Sequence, residues 1–161
     1  MRYDVFESPI GDLLAAGDGR ALHRLHMLSG RGRVAIEPGW ARDPSALADV
    51  RSELGEYFAG ERTRFDVPLV LRGSPFQVRV WRALQEIPYG RTASYGELAR
   101  RVGRPSGARA VGLANGRNPI AVIVPCHRVI GADGSLTGYG GGLERKRRLL
   151  ELEADVVAPR L

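Results

Sequence analysis

The sequence predicts an α+β fold built from two small units, on three observations. Residues 3–28 alternate in short apolar and polar steps broken by glycine turns, the pattern of a small antiparallel sheet. From Ser74 onward, Ser-Pro starts and Gly stops bracket helix-forming stretches. Charge changes sign between the two: residues 1–70 carry nine Arg against eleven acidic residues, and residues 71–161 carry fifteen basic against seven acidic ones. The chain is long enough for one domain or two small ones, and the boundary is expected at Arg72-Gly73-Ser74. This gives an N-terminal support unit, 1–72, of antiparallel sheet plus helix. The C-terminal unit, 73–161, is mostly helical.

In order, Tyr3-Asp4-Val5-Phe6 reads as a strand and Ser8-Pro9-Ile10-Gly11 as a turn. Leu13 to Ala16 continues the sheet, Gly17-Asp18-Gly19 turns it, and Ala21 to Leu28 closes it. Residues 29–43 read as loop. A helix is expected from Pro44 to Phe58, with Asp43 as cap and Gly60 past its end. Phe65 to Leu71 reads as a strand. Ser74 caps a helix through Leu84, Ser94 caps a second through Arg101, and a third runs from Ala108 to Asn115. The last two, joined across Gly103 and Arg104-Pro105-Ser106-Gly107, form an expected helix-turn-helix of winged-helix character. Ile120 to Val124 and Leu136 to Tyr139 read as strands, and Leu143 to Glu153 as the last helix.

Composition narrows the function. No apolar run is long enough to span a bilayer, and the start, MRYDVFESPIG, lacks the basic-then-apolar order of a signal peptide. One cysteine excludes an internal disulfide and suits a reducing, cytoplasmic setting. It also excludes a multi-cysteine zinc site, and His23 and His26 read as strand or surface histidines rather than ligands. Neither metal nor cofactor is expected. The basic second half points to a polyanion, nucleic acid or an acidic membrane surface. The small residues of 108–115, with Arg109 at their start, let that helix lie close against another surface, a DNA groove or a neighbouring helix, and the basic excess of this half raises the DNA reading.

The only cysteine lies in Val122-Ile123-Val124-Pro125-Cys126-His127-Arg128-Val129-Ile130-Gly131. A thiol at the end of an apolar run is either a small core residue or a nucleophile activated by the adjacent imidazole, and spacing alone leaves the two even. Neighbours on an extended strand point to opposite faces, so Cys126 and His127 touch directly only if the chain turns there; otherwise a water relays the proton. A base of this kind needs an orienting acid. Asp133, Glu144, Glu151, Glu153 and Asp155 are all available, and composition does not choose among them.

Pro125-Cys126-His127-Arg128-Val129-Ile130-Gly131 resembles the active-site signature of the O6-alkylguanine-DNA alkyltransferases, also called methylated-DNA–protein-cysteine methyltransferases. Ser8-Pro9-Ile10-Gly11 resembles their N-terminal hairpin. Phe76-Gln77-x-x-Val80-Trp81, Ile87-Pro88-Tyr89-Gly90, Ser94-Tyr95-Gly96-Glu97-Leu98-Ala99, Arg109-Ala110-Val111-Gly112 and Asn118-Pro119 resemble their DNA-binding half. Tyr139-Gly140-Gly141-Gly142-Leu143 resembles the segment closing their pocket.

The resemblance implies single-turnover DNA repair. An O6-alkylguanine, with O4-alkylthymine as a second candidate, is flipped from the duplex, and the cysteine keeps the alkyl group. It implies Cys126 as nucleophile, His127 as base acting through water, Glu153 as its carboxylate and Asn118 as hinge. Tyr95 would donate to the departing guanine and crowd the 3′ phosphate. Arg109 would be the finger filling the emptied stack, with Ser94, Tyr95, Ala110 and Gly112 at the DNA. Pro125, Val129, Tyr139 and Gly140 would line the pocket. The helix-turn-helix would dock in the minor groove of double-stranded DNA, the protein acting as a monomer with cooperativity along DNA left open.

The zinc-binding cysteines of some relatives are lacking, and no fused phosphotriester-repair domain is expected. Two other readings stand beside this one. A non-catalytic lesion-binding module is one, although the branch of the family of that kind replaces the cysteine. A cysteine hydrolase acting on a small substrate is the other, and it leaves the basic half unexplained.

Overall fold

The computed structural model describes residues 1–28, 36–139 and 142–158. Strands β1 (Arg2–Phe6), β2 (Leu13–Gly17) and β3 (Leu22–Met27) form the expected antiparallel meander. A fourth strand, β4 (Ala41–Arg42), joins the outer edge of β1 in parallel, so the sheet is mixed, in the order β3-β2-β1-β4. The antiparallel sheet expected over residues 3–28 forms as read; the loop expected over 29–43 is corrected at Ala41–Arg42, which is strand, while residues 29–35 lie outside the described residues. The chain reaches β4 by a long connection rather than a hairpin, and only such a connection lets strands run parallel.

Asp43 caps the next segment by accepting from the Ala46 amide at 3.3 Å. Its first turn, Pro44–Leu47, is a 3-10 helix that continues as α1 (Ala48–Phe58) and buries Val50, Leu54 and Tyr57. Gly60, at φ +77°, ends α1 in a left-handed cap. The Gly60 amide bonds the Tyr57 carbonyl at 3.0 Å and the Glu61 amide bonds that of Glu56 at 2.9 Å.

Phe65 to Leu71 is not a strand. Only Leu69 bridges to Leu22, through Leu22 N–H to the Pro68 carbonyl and Val70 N–H to the Leu22 carbonyl. Pro68 has no N–H with which to extend the ladder.

In the second half, α2 (Pro75–Gln85), α3 (Tyr95–Arg101) and α4 (Ala108–Gly116) follow their local signals closely. Ser74 and Ser94 each form a complete capping box, with Gln77 and Glu97. Gly103, at φ +81°, ends α3 in the same type of cap as Gly60. The Trp81 indole donates to the Ala114 carbonyl at 2.9 Å and ties α2 to α4. A short parallel pair, β5 (Ala93–Ser94) with β6 (Val129–Ile130), closes this unit, and α5 (Leu143–Val157) runs one turn past the expected Glu153 end. Residues 136–139 form no strand.

Buried side chains form one cluster containing Leu13 and Leu25 of the sheet, Leu54 of α1, Val80 of α2, Leu98 of α3 and Leu149 of α5. Each such Leu contributes on the order of 1.5–3 kcal/mol by leaving water. Backbone links cross between the halves as well. Leu25 exchanges bonds with the Pro119 carbonyl and the Ala121 amide, both at 3.0 Å, and Arg148 donates to the Pro9 carbonyl at 2.8 Å.

Candidate active site

The apolar run Ile120 to Val124 is a pair of tight turns and not the expected strand. Val122 takes a left-handed φ of +68°, and a γ-turn closes over it through the Ile123 amide and the Ala121 carbonyl at 2.8 Å. Pro125, at φ −83° and ψ 64°, makes the mirror-related turn, with the Cys126 amide on the Val124 carbonyl at 2.8 Å. A left-handed β-branched residue is strained and persists only where its surroundings over-determine it. Asn118 supplies much of that restraint: its Nδ2 donates to the Val124 carbonyl at 2.7 Å, and its Oδ1 accepts from the Ile120 amide at 3.0 Å. The β3 edge holds Ile120 from the other side.

Cys126, His127 and Arg128 then form one 3-10 turn, so the chain does bend where a direct thiol–imidazole approach requires it. Cys126 is 6 % exposed, and burial pushes its thiol above the ordinary range against the pull of Asn118 and the Lys146 charge. His127 is fully buried. Its Nε2 lies 2.6 Å from Glu153 Oε2, while Nδ1 has no hydrogen-bond partner among the described residues. Burial lowers the basicity of His127 and keeps the ring neutral. A neutral imidazole donating from Nε2 to a carboxylate carries its lone pair on Nδ1, which is the atom able to take a proton.

Glu153 is clamped from several sides. Arg128 donates from Nε to Oε1 at 2.7 Å and from Nη2 to Oε2 at 3.1 Å, and its Nη1 reaches the Ile87 carbonyl at 2.9 Å. Tyr57 donates its hydroxyl to Oε2 at 2.5 Å, and the Gly90 amide reaches Oε1 at 3.4 Å. Burial opposes ionisation of Glu153, but the bond with His127 and the Arg128 guanidinium hold its carboxyl down at about 2. Of the five acidic candidates, Glu153 is the one on the imidazole.

Two further buried groups brace the same loop. Lys146, the only lysine of the chain, donates to the Val129 carbonyl at 2.6 Å and the Thr137 carbonyl at 2.7 Å. Asn115 reaches from α4 to the Cys126 carbonyl at 3.4 Å. Sequence reasoning missed Arg128, Lys146, Asn115 and Tyr57 as site residues. A charged side chain directly after a buried Cys-His pair was the one available signal, and it pointed to Arg128.

The remaining predicted residues fall around this cluster. Tyr95 opens α3, with its hydroxyl 3.3 Å from the Thr137 carbonyl, and its ring lies against Gly112, where an added Cβ would sit 3.7 Å away. Tyr139 is buried, with a hydroxyl unpaired among the described residues. Val129 is buried on β6, Ser94 caps α3, and Arg109 is exposed in the first turn of α4 with Ala110 beside it. Pro125 lines a cleft of about 690 Å³ with Arg64, Tyr89 and Arg128, in which Cys126, Tyr95 and Tyr139 take no part. Gly140 lies outside the described residues. Among the described residues no group of His, Cys, Asp and Glu is arranged to hold a metal ion, and no helix is long and apolar enough to cross a membrane.

Comparison with known proteins gives two matches to one family of DNA methyltransferases. Residues 1–71 match the ribonuclease-like domain of 6-O-methylguanine DNA methyltransferase, and residues 75–155 match its DNA binding domain. A methylated-DNA–protein-cysteine methyltransferase of Mycobacterium tuberculosis is 58% identical over 156 residues, covering 95% of this chain and 92% of that one. A protein of the same name from Methanosarcina acetivorans is 51% identical over 153 residues, covering 95% and 98%. The crystal structure of Mycobacterium tuberculosis OGT in complex with DNA superimposes with a TM-score of 0.91 at 57% identity, over 97% of this chain and 94% of that one. With family matches covering residues 1–71 and 75–155, and relatives matched over nearly its whole length, this chain belongs to the methylated-DNA–protein-cysteine methyltransferase family.

Proposed function

We propose that the chain repairs alkylated DNA by moving the alkyl group of O6-alkylguanine onto Cys126, once per protein molecule. The observation that carries this reading is the Nδ1 of a buried, neutral His127, unpaired among the described residues and one residue from the only thiol. A thiol raised by burial is a poor nucleophile until a base takes its proton.

His127 Nδ1 takes that proton, directly or through one water, and Glu153 stabilises the imidazolium that forms. The sulfur attacks the alkyl carbon, the S–C bond forms and the C–O6 bond breaks. The electron pair goes to guanine, which leaves as a normal base after receiving a proton from Tyr95; the Tyr95 phenolate is reprotonated from water, and the His127 imidazolium returns the thiol's proton to solvent, so that no net proton is gained or lost. The alkyl carbon is out of reach inside the stack, so the base must first leave the duplex, with Arg109 taking its place. Asn118 holds the hinge, Val129 and Tyr139 line the pocket, and α4 carries the DNA contacts through Ala110 and Gly112. A thioether is not cleaved by any group at the site, which makes the reaction stoichiometric. A cytoplasmic location belongs to this reading, because the nucleophile must stay reduced.

The test is intact mass after incubation with an O6-methylguanine duplex. One methyl in place of the thiol hydrogen is expected, and none in Cys126→Ala. Tight binding with no mass gain on reduced protein would mean a lesion-binding module instead. An O4-methylthymine duplex, run in parallel, decides the second substrate.

A further inference from the structure

The N-terminal unit reaches into the relay through one atom. Glu153 Oε2, the oxygen that pairs with His127, also accepts the Tyr57 hydroxyl at 2.5 Å. Arg128 and Gly90 reach Glu153 from within the second half; Tyr57 comes from α1, 96 residues away in sequence. Its ring is fully buried and packs on Phe58, Phe65 and Tyr89, with centroids 5.2, 5.4 and 6.1 Å away. Phenylalanine would satisfy that packing. The hydroxyl is the part packing does not explain, since burying one is unfavourable unless it is bonded.

From this geometry we infer that Tyr57 is a positioning residue of the alkyl-transfer relay, its hydroxyl sharing Glu153 Oε2 with His127 Nε2 and weakening that oxygen's hold on the ring. The inference rests on the reading above. A charge-assisted bond from Tyr57 draws electron density from Oε2, so the carboxylate stabilises the imidazolium less than it otherwise would. The phenol stays protonated throughout, because burial and then the Glu153 charge raise it. Among the described residues, the other titratable and charged groups around the relay are Arg128 from the cysteine turn, Tyr89 from the segment after α2, Lys146 from α5, and Cys126 and Tyr139. Arg128 and Lys146 also disfavour protonation of His127. Without the hydroxyl, His127 holds a proton to higher pH and fewer molecules carry the free base near neutrality.

The experiment compares wild type and Tyr57→Phe in two ways. Single-turnover methyl transfer is followed from pH 6 to 9, and the His127 ring is titrated by NMR, which is tractable with three histidines in the chain. Transfer in Tyr57→Phe should be slower by about three- to tenfold at pH 6.5 and by less than about twofold at pH 8.5, with His127 titrating at higher pH. Phe65→Leu, which loosens the same ring packing, should lower Tm and leave the pH profile in place. Equal slowing at both pH values, or an unmoved His127 titration, would overturn the inference. A wild-type protein that gains no methyl would instead overturn the proposed function, and the NMR titration would still decide the role of Tyr57.

Discussion

The helix-turn-helix and the cysteine loop adjoin each other and are stabilised in opposite ways. Helices α3 and α4 are set by bonds within a few residues: a Ser94–Glu97 capping box, a Gly103 cap and a small-residue face. The loop from Asn118 to Ile130 has little regular structure of its own. Its backbone carbonyls are held by the Asn118, Asn115 and Lys146 side chains, and its Arg128 and His127 converge on Glu153. Local bonds give a surface that can meet DNA and tolerate variation. The proposed nucleophile, Cys126, is 6 % exposed and needs its neighbours placed to a fraction of an ångström, which long-range bonds from rigid helices supply.

The contrast can be broken by experiment, and the largest effect is expected from Arg128→Ala. It removes both guanidinium bonds to Glu153 and the bond to the Ile87 carbonyl, leaving a buried carboxylate without its main countercharge. Urea unfolding should show a loss of about 3–5 kcal/mol. A loss below about 1 kcal/mol would mean that the loop does not depend on this network.

Acid sharpens the same point. The Glu153 carboxyl sits at about 2 in the fold against 4.5 as its ordinary value, so its contribution is present above pH 4.5 and is lost as pH falls towards 2. A carboxylate depressed this far contributes on the order of 3 kcal/mol. His127, held neutral by burial, adds a loss that begins as pH falls below 6.5, where the unfolded chain takes up the proton first. Unfolding free energies at pH 7, 4.5 and 3 should therefore fall steeply for wild type, and less between the last two for Glu153→Gln. Parallel curves would remove Glu153 as the acid-sensitive group.

The smallest effect is expected in the locally built region. Ser94→Ala deletes the hydroxyl that accepts from the Glu97 amide at 3.1 Å and should lower stability by about 1 kcal/mol. A loss on the scale of Arg128→Ala would erase the distinction between the two regions.

That distinction also explains what could be read in the residues alone. Ser74, Ser94, Gly60 and Gly103 marked helix ends that the structure reproduces, because a cap is a bond between residues three or four apart. The run Ile120 to Val124 looked like a strand by its β-branched apolar residues. It turns instead at Val122 and Pro125, held by Asn118 and by an edge of β3 that is nearly a hundred residues distant. The parallel β4 was invisible for the same reason: two residues carry no periodicity, and their partner is forty positions back.

By itself, then, the sequence determined the helices, their caps, the basic second half and the single cysteine beside a histidine. Each depends on composition or on bonds between near neighbours. The tertiary structure decided which of five acids meets His127, that Arg128 and Lys146 are buried braces, and that Tyr57 of the first unit touches the relay of the second. Those contacts join residues up to 96 positions apart, and no local pattern encodes a partner that only the packed core brings within reach.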